Sequence, residues 1–111
     1  MLRGFQEVTD RDFYEKVMSS ETPAVVVFTE PASPVNEKLS VLFSPYVEEF
    51  GDRINFYFLD VTKNTSFEDF GLFNFPAVLY FRDTMELDRH DFLPTEELID
   101  QAIKRLLRIS T

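Results

Sequence analysis

The chain has 111 residues, with 20 acidic against 11 basic side chains, a formal charge of −9 and no cysteine. Without cysteine there is no disulfide, no thiolate nucleophile, no CxxC redox pair and no Cys-type zinc site, and a chain this acidic is a poor match for a phosphate backbone or an anionic membrane surface. The 13 Phe and 4 Tyr argue for an ordered core in one domain spanning 1–111.

In chain order, Phe5–Val8 predicts a short strand. Thr9 or Asp10 is placed to cap a helix carrying Phe13, Val17 and Met18 at helical spacing, and Pro23 ends it. Ala24 to Phe28 is a continuous, mostly β-branched apolar run, which suits a central strand buried on both faces. The turn-rich loop Thr29 to Pro34 leads into a helix over 35–50. Its apolar face is Val35, Leu39, Leu42, Phe43, Tyr46 and Phe50. Pro45 lies inside that helix and predicts a kink near Val41, and Gly51 and Asp52 close it.

Ile54 to Val61 predicts a second buried strand, with Ile54, Phe56 and Phe58 on one face and Tyr57, Leu59 and Val61 on the other. Thr65 or Ser66 is placed to cap a short helix that Gly71 ends. Ala77 to Phe81 predicts a third strong strand and Arg82-Asp83-Thr84 a turn. Leu87 to Phe92 alternates charge as an edge strand does. Pro94-Thr95 opens a last helix with a stripe of Leu98, Ile99, Ala102, Ile103, Leu106 and Leu107. The order β-α-β-α-β-α-β-β-α describes a mixed central sheet flanked by helices, its first half parallel through right-handed crossovers.

Candidate chemistry is sparse. Ser33 acts as a nucleophile only beside a base, and the single histidine, His90, falls on the late edge strand. Capping of the helix that starts at Pro34 or Val35 accounts for Ser33 better. Asp88, His90 and Asp91 suggest a metal only weakly: on a strand the first two share a face and Asp91 points away, so solvated edge charge is the expectation. With Gly4, Gly51 and Gly71 as the only glycines, no Gly-rich phosphate loop exists. The expectation is no cofactor and no metal. With neither a signal-type apolar run nor a membrane-length stretch, the expected location is cytoplasmic, and the Asn64-Thr65-Ser66 triplet carries no meaning without secretion.

Three stretches resemble the thioredoxin family in order and spacing, over nearly the whole chain. They are Val25-Val26-Val27-Phe28 with its loop and Pro-containing helix, Asp60-Val61-Thr62-Lys63-Asn64, and Phe70-Gly71-Leu72-Phe73-Asn74-Phe75-Pro76-Ala77-Val78-Leu79-Tyr80-Phe81. The resemblance implies a thioredoxin-like fold and a cis proline at Pro76 facing the former active site. An ungapped alignment from Phe28 puts Ser33 and Asn36 where the family has its two cysteines. A one-residue slip puts Ala32 and Val35 there. The family's buried Asp and Lys correspond to Val27 and Phe58.

The catalytic parts are therefore missing as a set. The resulting expectation is a noncatalytic, redox-inactive module that binds another protein through Thr29, Glu30, Pro31, Ser33, Pro34, Asn36, Phe75 and Pro76. An apolar groove would be walled by Phe75, Pro76, Pro31, Pro34 and Val35. Acidity favours a basic partner, or an extended apolar segment pairing beside Phe75. The alternatives are a cysteine-free enzyme binding glutathione or another small ligand, and a self-associating subunit that dimerises through its Phe-rich strands.

Overall fold

A computed structural model describes residues 2–108. It is a mixed α/β protein built on one five-stranded sheet: β1 (Gln6–Glu7), β2 (Ala24–Thr29), β3 (Asn55–Asp60), β4 (Ala77–Arg82) and β5 (Met85–His90), in spatial order β1-β3-β2-β4-β5. β1, β3 and β2 run parallel, while β4 and β5 are antiparallel to their neighbours. Two α-helices, α1 (Val35–Phe50) and α2 (Glu96–Leu107), and two single-turn segments at Tyr14–Met18 and Ser66–Phe70 complete the described residues. No described helix is long and apolar enough to cross a membrane.

The alternation of apolar side chains along the strands sorts the core into two layers. Val25, Val27, Phe56, Val78 and Tyr80 face one side, where α1 and α2 pack through Leu39, Phe43, Ile99, Ala102, Ile103 and Leu106. Val26, Phe28, Tyr57, Leu59, Leu79 and Phe81 face the other, covered by Phe13, Val17, Leu72 and the half-buried Phe67 and Phe70. β2 is buried along its whole length, as a both-faces-apolar run requires. The Phe excess goes largely into this packing: Phe5, Phe43 and Phe56 meet edge-on in one layer, and Phe13, Phe28, Phe70 and Phe81 interlock in the other.

Several local expectations change. β1 is shorter than Phe5–Val8, although Val8 still donates its N–H to the Phe58 carbonyl at 2.9 Å. The segment after it is one wide turn at Tyr14–Met18, not an α-helix; Asp12 holds its start by accepting from the Thr9 N–H at 2.7 Å. Asp10 caps a different element: its carboxylate accepts from the Thr65 and Ser66 N–H groups, at 2.8 Å each, and from the Ser66 hydroxyl. The 66–70 turn is thus capped from across the fold, not by its own Thr65 or Ser66 side chain.

Asp83 and Thr84 both take positive φ, 55° and 64°, so β4 and β5 join in a two-residue turn whose twist matches the strands. β5 consequently begins at Met85, two residues before the predicted start, and it is an edge strand as expected. Its charge is not all solvated: the register Val78↔His90 turns the imidazole inward, edge-on to Tyr80 with centroids 5.3 Å apart, and leaves it 4% exposed.

Candidate functional site

Register places the candidate residues at one end of the sheet. Phe28 pairs with Ala77 and Thr29 with Asp60. The C-termini of β2 and β3 and the N-terminus of β4 therefore emerge together. Two loops meet there, 29–34 leading into α1 and 71–76 leading into β4.

Loop 29–34 is held from within. The Asn36 side chain turns under it and is 4% exposed. Its Oδ1 accepts from the Thr29 hydroxyl at 2.7 Å, and its Nδ2 donates to the carbonyls of Glu30 at 2.9 Å and Pro31 at 3.4 Å. Thr29 is equally buried. These two residues were expected on a binding face, but they shape it from inside and cannot touch a partner. Ser33 is half-buried, and its Oγ accepts from the Val35 N–H at 3.3 Å. The N-cap position of α1 falls on Pro34 (φ −66°), whose missing N–H is harmless there, and no side-chain cap bond is made from it; Ser33 braces the helix entry one residue ahead of the cap anticipated for it.

The remaining candidates face outward. Glu30, Pro31 and Pro34 are exposed, and Phe75 and Pro76 are half-buried. The Phe75–Pro76 bond is cis. Phe75 packs edge-on against Phe67 with centroids 5.2 Å apart. Thr29, Glu30, Ser33 and Phe75 line a cleft of about 120 Å³. This cleft is not the apolar groove expected between the prolines and Phe75: three of its four lining residues are polar, and neither Pro31 nor Pro34 lines it. Its volume is also below the ~300 Å³ at which small-molecule pockets begin. This end of the molecule offers a surface more than an enclosure.

The most exposed apolar side chain of this end is Phe73, at 88%. Phe92 and Leu93, which follow β5 at the same end of the sheet, are exposed too. Only the Phe-x-Phe-Pro spacing hinted at Phe73. Composition cannot say which Phe of a Phe-rich stretch is left outside.

Beneath the loop, Val27 and Phe58 are register partners on adjacent strands. Val27 is fully buried and Phe58 packs on the same layer. Two neighbouring apolar side chains thus fill the place where the family resemblance leads one to look for a charged pair.

His90 and Ser33 are on different elements, with no bond between them among the described residues. Burial holds the imidazole below its ordinary pKa, against the opposing pull of Asp88. Asp88 and Asp91 are engaged by guanidinium groups, of Arg105 and of Arg89. Among the described residues no three His, Asp or Glu side chains sit close enough to share a metal. Asn64 is buried, its amide bonded to the Asp10 N–H and the Asp60 carbonyl, so it serves the fold. No protein-family model matches the chain.

Proposed function

We propose that the chain is a thioredoxin-like domain without redox chemistry that binds another protein through the sheet end formed by loops 29–34 and 71–76. The strand order β1-β3-β2-β4-β5, with α1 and α2 on one face and the two short turns on the other, supports the fold assignment. The observation that carries the functional reading is Asn36: a residue at a former thiol position whose hydrogen-bonding groups are all spent inside the loop. A site kept for chemistry presents reactive groups outward. This one presents Pro31, Pro34 and Phe73 instead, a rigid rim beside an aromatic anchor. The backbone ahead of Ala77 is the natural place for an extended apolar segment to pair.

Variants Pro34→Glu and Phe73→Glu test the site. Both positions are exposed, so the fold survives. Capture of the protein's cellular partner should drop with each variant, and undiminished capture removes the site assignment.

A further inference from the structure

A second feature begins beside the loop end, at Leu93, and runs away from it along the outer flank of α1. Three clefts, of about 380, 500 and 430 Å³, follow one another there. The first lies between Val41, Leu42 and Leu93, and the other two share Tyr46 and Asp100. At 1.5 Å per residue, from Glu37 to Phe50, they make a furrow roughly 20 Å long between α1 and residues 93–104.

The two halves of the furrow differ in chemistry. The Leu93 half is apolar, and Val41 stands 59% exposed beside it. The other half is acidic. Asp100 is bonded to Lys104 at 2.9 Å, and Glu49, Glu96 and Glu97 take part in none of the ion pairs of the described residues. Tyr46 sits among them and donates its hydroxyl to Asp100 at 3.1 Å. Burial, then the Asp100 bond and the charges of Asp100, Glu96 and Glu49, push its phenol up to about 12. The last turn of α1 holds Glu48 and Glu49 and no basic residue. Acid at a helix C-terminus opposes the helix dipole; the nearby cations are Arg53, whose guanidinium lies over the Phe50 ring, and Lys104, which is paired with Asp100.

We propose that this furrow docks a segment of another protein with bulky apolar side chains at one end and lysines or arginines at the other. The apolar end would cover Val41 and Leu93. The cations would lie against the Tyr46 ring and meet Glu49 and Glu97, which no ion pair of the described residues engages. The furrow borders the loop end at Leu93 but is lined by no residue of loops 29–34 or 71–76.

The probe is a synthetic peptide with a Leu-Leu pair followed by alternating Lys and Arg, titrated into ¹⁵N-labelled full-length protein. A twin peptide carries Glu at every basic position. Backbone shifts should concentrate in residues 41–50 and 96–104, weaken with added salt, and be absent with the Glu twin. The double variant Glu49→Lys/Glu97→Lys, at two exposed positions, should bind about tenfold more weakly, with its dispersed spectrum showing an intact fold. Pro34→Glu, which disables the loop end, should leave the furrow shifts unchanged. No binding, equal binding of the Glu twin, shifts confined to 29–34 and 71–76, or a charge-reversed variant that binds as wild type would each overturn the proposal.

Discussion

Replacing Asn36 by alanine tests whether this side chain is the internal strut of loop 29–34. The truncation removes the acceptor of the Thr29 hydroxyl at 2.7 Å and the donor to the Glu30 and Pro31 carbonyls at 2.9 and 3.4 Å. A buried polar group left without its partner costs about 1–3 kcal/mol. The stranding is partial: the Thr29 hydroxyl keeps a weak alternative in the Glu30 carbonyl at 3.4 Å, and that carbonyl still accepts from the Ser33 N–H at 3.0 Å. The loss should be about 2 kcal/mol, mostly that of the two good hydrogen bonds, lowering the melting temperature by roughly 9 °C in a domain of this size. With no Trp present, urea unfolding is best followed by far-ultraviolet circular dichroism. Thr29→Val supplies the second edge of a double-mutant cycle, in which the paired variant should lose about 1 kcal/mol less than the two single losses together. A loss under about 0.5 kcal/mol for Asn36→Ala, or strict additivity in the cycle, would refute the strut.

Other expectations follow from neighbouring features. Asp10→Ala should cost about 1 kcal/mol at neutral pH, as loss of a helix cap does; an unchanged urea midpoint would contradict that role. The carboxyl of Asp10 lies below its ordinary value because burial, which raises it, is outweighed by the bonds from Ser66 and Thr65. Its contribution is therefore fully present above the unfolded value near 3.8 and lost as pH falls through the lower folded value. His90 is also depressed, by burial, so the wild type should be most stable above the unfolded value near 6.5 and lose stability as pH falls from there toward the folded value. His90→Phe should flatten that part of the profile, and an unaltered slope between the two proteins would count against it. Val27→Asp should destabilise by at least about 3 kcal/mol, since Phe58 opposite offers no cation to the buried carboxylate; a soluble, stable variant would show that the layer tolerates charge.

The element order was legible because the strands are written as uninterrupted apolar runs and α1 and α2 as apolar stripes. The two faces of β3 came out as read, with Phe56 and Phe58 in one layer and Tyr57 and Leu59 in the other. What escaped were consequences of register and long-range closure. Asp10 looks like a cap for its own segment, but its partners are more than fifty positions away. His90 looks solvated until pairing with Val78 turns it inward. Thr29 and Asn36 are polar residues of a turn-rich region, and polarity suggests exposure. Only the curl of the loop brings them together inside. The furrow beside α1 depends on α2 lying next to it, which no local pattern encodes.

The central claim, that the sheet end bearing loops 29–34 and 71–76 is a protein-binding face, is tested most directly by site-specific photo-crosslinking in cells. A benzophenone amino acid replaces Phe73 in one variant. In the other it replaces Glu21, an exposed residue just ahead of β2 and so at the opposite end of the sheet. The account predicts a discrete adduct from position 73 that is absent from position 21 and disappears when Pro34→Glu is added. The same adducts from both positions, or none from position 73, would contradict it.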